Sequence, residues 1–520
     1  MKHVFPPPVA WLSYRGCMGT GGRTEKQETK AVSTKVARVV IAVFDGLRPD
    51  RISEELTPNL HRFMTDALWY REARSVFPSM TRVATTSFAT GSHPTQHGVV
   101  NNAFFHPAIS GGEPLDTSRA AHIRAANAWH DGEFVEAKAI GCALAAAGKR
   151  LAVVHSGSAG SAWLLNHRAK EHGHWTFSIH GRDHTDTPEA VDQSIEHFGP
   201  LPAGKSPKLD EATYATRVLT ELVLPKLDPD VAIIWYSEPD TSYHFHEIGS
   251  RESDLATAHV DASFGKILDA VQASDQSEDT LLIVMSDHGQ ISTTSAFDLV
   301  GALGDRGFDA GYRAEPGTDV LVTPGSAAGL TLINQDRTRL QALGCALMDM
   351  PETGLLFCGT DENGEPVIGG AFDRALVGAD HPRSPDLYWV GRSSTEADQH
   401  GLAGAGIYTT GVNVPVGGGM HGGLNPHEMN TLLAFGGAGM PAGCVNDHAN
   451  LTDIVPTVLA LLGVDRPATM TGLPLDAVLG KQAPEPRERR LEVGAGKFRQ
   501  FLLLADDDGR QRIPVCGGRI

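Results

Sequence analysis

Six side chains able to bind divalent cations stand close to apolar segments of the 520-residue chain. They comprise three carboxylates and three imidazoles, namely Asp45, Asp240, His244, Asp287, His288 and His421. Oxygen ligands alone would favour Mg²⁺ or Ca²⁺, whereas a mixture of imidazole and carboxylate favours Zn²⁺ or another divalent transition metal. Brought together, these groups could hold two ions about 4 Å apart, and such a pair polarises a phosphoryl oxygen and activates the attacking and leaving oxygens.

A hydroxyl nucleophile for such a reaction is predicted at Thr81, which opens a helix-like segment after a proline-containing turn. In an ordinary helix a Thr at this place would cap the first turn. The free N–H groups and the positive dipole end of the same helix also favour an anion there. A Thr oxygen beside zinc can ionise at neutral pH and attack phosphorus. The nearby hydroxyls of Ser79, Thr85 and Thr86 are alternatives on the sequence alone.

Strands must carry these groups to a common place. Apolar segments rich in β-branched residues predict strands at 39–44, 231–236, 281–285 and 432–435. Helix-like segments alternate with them at 81–90, 138–148, 211–227, 255–274 and 453–462. Strands that are apolar on both faces are typical of a sheet covered by helices, with reactive groups at the carboxyl ends of its strands. We therefore predict an α/β fold with a doubly wound, mostly parallel sheet sandwiched by helices.

The chain divides by composition into an extension, a large domain and a tail. Residues 1–37 are predicted to be a flexible N-terminal extension, because residues 20–37 are polar and lack periodicity. The catalytic domain is expected at 38–483, with inserted cap segments at about 103–137 and 299–415. Residues 484–520 are expected to form a polar C-terminal tail with one strand at 501–504. The larger insertion carries strand candidates at 319–323, 329–333 and 387–390.

Composition excludes several classes of protein. Lys and Arg number 44 against 62 Asp and Glu, and the net charge of −18 argues against a basic nucleic-acid-binding surface. No apolar run approaches about 18 residues, so no membrane span is expected. The six cysteines are scattered, which indicates neither a disulfide framework nor a cysteine metal site. A convincing secretory signal is missing, so a cytoplasmic location is expected, with export left open. The oligomeric state is not indicated.

Six short motifs follow one another in order along residues 38–475. They are Asp45-Gly46, Phe77-Pro78-x-x-Thr81, Thr90-Gly91-x-x-Pro94-x-x-His97-Gly98-Val99, Glu238-Pro239-Asp240-x-x-x-His244, Asp287-His288-Gly289 and His421-Gly422. As an ordered set they resemble the nucleotide pyrophosphatase/phosphodiesterase family of the alkaline phosphatase superfamily. This resemblance covers nearly the whole chain and implies an alkaline phosphatase-like fold.

The resemblance also implies roles for individual residues. Thr81 would be the nucleophile that becomes transiently phosphorylated, and Asn102, with Asn101 as its competitor, would hydrogen-bond a phosphoryl oxygen. His97, with the glycine after it, would shape the turn after the nucleophile helix rather than bind metal. One zinc ion would be held by Asp240, His244 and His421, and the other by Asp45, Thr81, Asp287 and His288.

Two positions depart from the family pattern. Relatives often carry an aromatic residue directly after the nucleophile, where this chain has Arg82, and a Gly before the metal-binding His, where it has Tyr243. Both are candidate substrate-binding residues. Arg82 could meet an additional negative charge on the substrate, since guanidinium pairs well with phosphate and carboxylate oxygens. Its ordinary alternative is a solvated residue at the start of a helix.

These observations predict a metal-dependent phosphoric ester hydrolase, specifically a phosphodiesterase or nucleotide pyrophosphatase that uses Thr81, two zinc ions and a phospho-threonine intermediate. Its expected partner is a small phosphate-containing substrate. A phosphonoacetate-type phosphonate hydrolase and a phosphomonoesterase are alternatives on the same site. A sulfatase is disfavoured because that branch requires Cys or Ser at the nucleophile position, and a phosphoglycerate mutase normally uses Ser. A non-catalytic binding relative is the alternative from a different class, and it would be expected to lack a ligand or the nucleophile.

Overall fold

The computed structural model describes residues 36–482, 487–507 and 510–520. The predicted extension 1–37 therefore lies outside the described residues except for its last two positions. The strands are β1 (Arg38–Phe44), β2 (Leu68–Arg74), β3 (Ala103–Phe105), β4 (Pro114–Asp116), β5 (Leu151–His155), β6 (Trp175–Ser178), β7 (Val231–Tyr236), β8 (Thr280–Met285), β9 (Ile291–Phe297), β10 (Ala310–Gly311), β11 (Val320–Thr323), β12 (Ala327–Leu332), β13 (Thr353–Cys358), β14 (Phe372–Asp373), β15 (Leu387–Gly391), β16 (Ser393–Ala397), β17 (Ala403–Thr409), β18 (Gly419–Met420), β19 (Leu433–Gly437), β20 (Gly443–Asn450), β21 (Arg487–Ala495), β22 (Phe498–Asp507) and β23 (Arg510–Arg519).

Helices alternate with these strands in the large domain. They are α1 (Pro58–Asp66), α2 (Thr81–Thr90), α3 (Pro94–His97), α4 (Pro107–Ser110), α5 (Ala120–Trp129), α6 (Ile140–Ala146), α7 (Ala159–Leu165), α8 (Pro188–Phe198), α9 (Leu209–Arg217), α10 (Asp240–His246), α11 (Arg251–Gln272), α12 (Leu299–Gly304), α13 (Arg337–Met348), α14 (Pro426–Met429) and α15 (Ile454–Leu461). A π-helical segment, Val218–Leu227, continues α9. Each predicted helix is present with modest shifts of its ends.

An eight-stranded sheet forms the centre of the fold, in the order β20-β2-β19-β8-β1-β7-β5-β6. Within it β19 runs antiparallel to both neighbours, whereas the other pairings are parallel. Every residue of β1 is buried. Its alternate side chains join two separate cores, with Ile41 in one and Ala42 in the other, so helices cover both faces. The predicted α/β class and mostly parallel sheet are confirmed.

Strand register brings the acidic residues to one edge. Phe44, at the end of β1, pairs with Tyr236 of β7, and Val43 pairs with Met285 of β8. The three neighbouring strands therefore end at nearly the same level. The loops that follow them carry Asp45, Asp240 and Asp287, as expected for the carboxyl ends of parallel strands.

The insertion at 299–415 contributes a second sheet with its own apolar core. Six strands lie in the order β10-β11-β12-β15-β13-β14, and the three strands predicted in this region correspond to β11, β12 and β15. Leu330 and Trp389 are among the fully buried residues of this core. The insertion at 103–137 folds as the β3–β4 hairpin with α4 and α5, and packs around Phe104 and Phe134.

The C-terminal segment is more structured than a polar tail with one strand. Strands β21, β22 and β23 form an antiparallel sheet, and the predicted strand at 501–504 lies in the middle of β22. Gln500 is fully buried and connects this sheet to β13, because its amide accepts from the Leu356 N–H at 2.9 Å and donates to the Leu356 carbonyl at 3.3 Å. The alternation of charged and apolar residues in this segment therefore belongs to a paired sheet.

Two expectations from composition can be compared with the structure. Within the described parts of the chain, no helix combines the length and the apolar character needed to cross a membrane. The five cysteines in those parts are free thiols.

Candidate metal centre

Asp45, Asp287 and His288 form the first of two ligand clusters at the edge of the central sheet. His288 Nε2 lies 3.4 Å from Asp45 Oδ1 and 3.2 Å from Asp287 Oδ2. Each carboxylate has its other oxygen fixed by the protein, since Asp45 Oδ2 accepts from the Trp235 indole N–H at 3.1 Å and Asp287 Oδ1 accepts from the Gly46 N–H at 3.1 Å. The two oxygens that face His288 are buried and accept no hydrogen bond.

Asp240, His244 and His421 form the second cluster. Asp240 Oδ1 lies 3.3 Å from His244 Nε2 and 3.5 Å from His421 Nε2. Asp240 and His244 are four residues apart on α10, so they share one face of the helix. In each cluster the three ligand atoms lie within 4.8 Å of one another. All six predicted ligands are therefore brought together as two groups of three.

The two clusters adjoin through their imidazole rings. The rings of His288 and His421 stack with their centroids 3.7 Å apart and their planes at 12°. His244 lies next to His421, with ring centroids 5.2 Å apart. The arrangement is thus one continuous site with two halves.

Backbone carbonyl groups orient all three imidazoles. The Nδ1 atoms of His244, His288 and His421 lie 2.6, 3.1 and 2.7 Å from the carbonyl oxygens of Gly419, Gly289 and Ser79. A ring that donates from Nδ1 keeps its Nε2 lone pair free, which is the tautomer that metal-binding histidines adopt. In the first half, His288 Nε2 and the two unpartnered oxygens of Asp45 and Asp287 make a donor set that fits a divalent cation. In the second half, the donor set is Asp240 Oδ1 with the Nε2 atoms of His244 and His421.

The pKa shifts of the three carboxylates also favour cations at this site. Burial raises the pKa of Asp45 and of Asp287, and the negative charges of Asp287 and Asp240 raise the pKa of Asp45 further. Burial alone would raise the pKa of Asp240 as well, but the imidazoles of His244, His421 and His288 outweigh it and lower that pKa. Carboxylates crowded together in a buried place need cations nearby to remain ionised.

Gly46 allows the loop after β1 to approach α10 closely. Its φ of 69° lies in the left-handed region, which favours glycine. A Cβ at this position would also lie 2.9 Å from Gln290 Nε2 and 3.1 Å from Asp240 Cβ. The glycine of the Asp45-Gly46 motif is therefore required both for its backbone conformation and for the space that brings the two clusters together.

Thr81 lies beside the first cluster at the start of α2. Met80 is the N-cap residue, so Thr81 is the first helical residue and does not cap the helix. Its Oγ1 lies 3.2 Å from His288 Nε2. The alternative hydroxyls have other partners: Ser79 donates to the Gly423 carbonyl at 3.0 Å, whereas Thr85 and Thr86 donate to the α2 carbonyls four residues earlier. Of these four hydroxyls, the structure brings only that of Thr81 to the ligand clusters.

Asn102 reaches the same helix end. Its side-chain oxygen accepts from the Arg82 N–H at 3.0 Å, which leaves the amide NH₂ as the free end of the side chain. Asn101, its competitor, is buried, and both ends of its side chain are used: the oxygen accepts from the Asn102 N–H and the nitrogen donates to the Ala327 carbonyl. The geometry favours Asn102 as the residue able to donate to an anion beside Thr81.

The structure separates the remaining predicted residues. Arg82 follows Thr81 on α2 and is half-buried beside the site. The expectation that Tyr243 contacts substrate is wrong, because its side chain is fully buried and its hydroxyl lies 3.4 Å from Thr257 Oγ1 of α11. His97 makes structural contacts, with Nε2 2.9 Å from Ser87 Oγ and Nδ1 accepting from the Val99 N–H. It shapes the turn, as expected.

Several supporting residues were not predicted from the sequence. Trp235 fixes Asp45, and the side-chain amide of Gln290 donates to Asp240 Oδ1. Glu428 is buried, and its carboxylate accepts from the Gly423 N–H at 2.9 Å and the Asn425 N–H at 3.1 Å, which fixes the loop that follows His421. The only signal available for Glu428 was its spacing from Asn425, three residues apart, since the two form a capping box at the start of α14.

Comparison with known families identifies the chain. Residues 39–399, more than half of the sequence, match the model of the type I phosphodiesterase / nucleotide pyrophosphatase family. The chain therefore belongs to this family, and the resemblance of its ordered motifs is confirmed.

Curated relatives match over part of their length. A bis(5'-adenosyl)-triphosphatase of Xenopus laevis is 23% identical over 261 residues, which are 49% of this chain and 48% of the relative. Ectonucleotide pyrophosphatase/phosphodiesterase family member 7 of Rattus norvegicus is 23% identical over 296 residues, 56% of this chain and 57% of the relative. The chain thus spans about half the length of these curated relatives.

Solved structures support the fold. Murine ectonucleotide pyrophosphatase/phosphodiesterase 5, in an inactive form in complex with AMP, has a TM-score of 0.56 at 18% identity and covers 83% of this chain and 96% of its own. The human protein of the same name has a TM-score of 0.58 at 16% identity and covers 85% and 98%. At these identities the likeness establishes the fold, which is alkaline phosphatase-like as expected.

Removal of the indole hydrogen bond to Asp45 should weaken cation binding in the first cluster. Trp235→Phe keeps the ring but loses the N–H donor, so we expect the affinity for Zn²⁺ to fall about 10-fold. Competition with a chromophoric chelator measures the affinity for Zn²⁺. Trp175→Phe is the matched control, since the Trp175 indole donates to Gln193 elsewhere in the fold. Equal affinities in the two variants would contradict the role given to Trp235.

Glu428 should make stability depend on pH. Burial raises its pKa from 4.5 to about 7, despite the two N–H groups that favour the charged form. The folded state therefore binds the proton more tightly, and the stability that this supplies at low pH is lost as pH rises from 4.5 to about 7. Glu428→Gln has no carboxyl to titrate at this position. Between pH 4.5 and about 7 its free energy of unfolding should therefore fall less than that of the unaltered chain, by up to about 3 kcal/mol.

Urea denaturation at several pH values between 4 and 8 tests this expectation. Glu396→Gln, at an exposed position, is the control and should keep the pH profile of the unaltered chain. Identical profiles for Glu428→Gln and the unaltered chain would show that the Glu428 carboxyl does not titrate in this range.

Proposed function

We propose that this protein is a metal-dependent phosphoric ester hydrolase, a phosphodiesterase or nucleotide pyrophosphatase, with Thr81 as its nucleophile. One observation carries the proposal: Thr81 Oγ1 lies 3.2 Å from His288 Nε2, at the sheet edge where the two ligand clusters adjoin. Membership of the type I phosphodiesterase / nucleotide pyrophosphatase family supports the same reaction class.

Two zinc ions are the proposed cofactors. One would be held by Asp240, His244 and His421, and the other by Asp45, Thr81, Asp287 and His288. The equal share of imidazole and carboxylate donors supports zinc over magnesium or calcium, which prefer oxygen ligands. When bound, such ions offset the charge of the carboxylates, polarise a phosphoryl oxygen and lower the pKa of a nearby hydroxyl.

In the first half of the reaction Thr81 would attack the phosphorus. Its hydroxyl proton leaves to solvent, its oxygen forms a new bond to phosphorus, and the bond from phosphorus to the leaving oxygen breaks. The free NH₂ of Asn102 is suited to donate to a phosphoryl oxygen during this step, because its carbonyl oxygen is already held by the Arg82 N–H. The N-terminal end of α2 adds a favourable dipole for the anion.

In the second half, water would release the phosphoryl group from Thr81. Water adds its oxygen to phosphorus, the bond from phosphorus to Thr81 breaks, and Thr81 recovers a proton. A covalent intermediate of this kind divides one difficult displacement into two easier ones. The His-to-carbonyl hydrogen bonds keep the imidazoles in place throughout, so the site need not rearrange between the two steps.

The proposed substrate is a small phosphate-containing compound. The murine structural neighbour is described in complex with AMP, and the Xenopus relative is named as a triphosphatase of an adenosyl compound. These names support a nucleotide or related phosphoanhydride for this chain as well. Phosphonate or phosphomonoester hydrolysis on the same site is the alternative, and a non-catalytic binding role is opposed by the presence of every expected ligand and of Thr81.

Thr81→Ala should abolish turnover and leave metal content largely intact. The hydroxyls of Ser79, Thr85 and Thr86 are bonded to backbone carbonyls and do not replace that of Thr81, so we expect kcat to fall at least about 1000-fold. Hydrolysis of bis-p-nitrophenyl phosphate measures turnover, and elemental analysis measures zinc. Thr86→Ala is the control, because its hydroxyl bonds the α2 backbone and not the site. An active Thr81→Ala protein would exclude this nucleophile.

His421→Ala should empty one half of the site. Without this imidazole the second cluster keeps only Asp240 and His244, so we expect zinc to fall from two ions toward one per chain after dialysis. His97→Ala controls for loss of a buried histidine outside the clusters. Two retained ions in His421→Ala would reject the ligand assignment.

A further inference from the structure

Arg82 is attached to the same turn that presents the nucleophile. Its N–H is bonded to Asn102 Oδ1 at 3.0 Å, and it directly follows Thr81 on α2. The side chain is half-buried, and its Nε atom is buried and has no hydrogen-bond partner. A solvated arginine at a helix start would have its whole guanidinium in water, so the solvated alternative does not describe Arg82.

The charge of Arg82 is not neutralised by an ion pair. Four carboxylates act on it electrostatically, namely Asp116, Asp45, Asp240 and Asp287. In the part of the chain that the structure describes, however, no carboxylate lies within ion-pair distance of its guanidinium. The charge also acts on Asp45 in one cluster and His244 in the other, so Arg82 lies beside both halves of the site. A half-buried guanidinium without a partner favours an incoming anion.

We infer that Arg82 binds a second anionic group of the substrate, next to the phosphoryl group that reacts at Thr81. This inference rests on the proposed function. The Asn102 amide and the N-terminal end of α2 are already available to bind the reacting phosphoryl group. Arg82 lies one residue after Thr81 and is therefore placed to bind a neighbouring group. Its planar fork of N–H donors matches a phosphate or carboxylate.

The inference defines a substrate class. The site prefers compounds with a second anionic group next to the reacting phosphoryl group, such as a phosphoanhydride or a phosphonate that carries a carboxylate. A diester with two neutral substituents has only the charge at the reacting phosphorus and leaves Arg82 without a partner.

Rates for substrates of different charge test the inference. The zinc-loaded protein, Arg82→Gln and Arg82→Lys are compared on bis-p-nitrophenyl phosphate, p-nitrophenyl phosphate, ADP and phosphonoacetate. In Arg82→Gln we expect kcat/KM to fall about 10- to 100-fold more for ADP or phosphonoacetate, which carry a second anionic group, than for the two p-nitrophenyl esters. Arg82→Lys should lie between, because it keeps the charge and loses the fork. The substrate with the largest difference identifies the source of the second anion.

A binding measurement gives a readout that does not depend on turnover. In Thr81→Ala protein, pyrophosphate, which has a second anionic group, and inorganic phosphate, which has none, are titrated with and without Arg82→Gln. The loss of affinity on Arg82→Gln should be about 10-fold larger for pyrophosphate than for inorganic phosphate. Arg251→Gln, exposed at the start of α11, is the control and should change neither ligand.

The outcomes separate this inference from the proposed function. If Arg82→Gln lowers kcat/KM and affinity equally for compounds with and without a second anionic group, Arg82 does not select such a group. If the unaltered protein binds zinc and hydrolyses none of the four substrates, the proposed function fails, and the binding comparison still decides the role of Arg82.

Discussion

Repulsion among three carboxylates at one sheet edge is the constraint on which the rest of the site depends. The loops after three neighbouring strands carry Asp45, Asp240 and Asp287. The negative charges of the other two raise the pKa of Asp45. Buried carboxylates in such numbers are unfavourable alone, so the surrounding structure must supply positive charge and fixed donors. The three imidazoles, the Trp235 indole and the Gly46 N–H all serve this requirement.

Rigid parts of the fold hold each member of the site. Three parallel strands set the level of the carboxylates, α10 spaces Asp240 and His244, and α2 begins at Thr81. Backbone carbonyls from three separate segments of the chain orient the imidazoles, so the ring directions are fixed by main chain rather than by mobile side chains. Preorganisation of this kind is what a reaction through a charged transition state requires.

The sequence was sufficient for the parts that follow from local pattern. The continuous apolar run at 231–236 predicted β7 and the helix-like segment at 81–90 predicted α2, each at its observed bounds. The six side chains near predicted strands and the threonine after a proline-containing turn are the groups that the structure brings together. Strands β2 and β5 were not predicted, although β5 lies between β7 and β6. β2 mixes charged with apolar residues and has no distinctive period, whereas β5 is a short apolar run that periodicity alone does not assign to a strand or a helix.

Contacts that depend on side-chain direction were beyond sequence reasoning. Tyr243 precedes His244 on α10 and therefore points about 100° around the helix from it, toward α11. The indole of Trp235 reaches Asp45 only because β7 and β1 are neighbours in one register, and the choice between Asn102 and Asn101 depended on which amide had a free end. Each of these needs the tertiary arrangement.

The position of β1 in the sheet has a consequence for the newly made chain. Val39 pairs with Val231 on one side and with Leu281 on the other, so the first strand has no sheet neighbour until much later segments have been made. At about 5–20 residues per second, β1 waits roughly 10–40 s for β7 to be synthesised. A strand that is apolar after Arg38 and stays uncovered for that time is a natural binding segment for a chaperone, and nascent protein that lacks such cover is prone to aggregate through it.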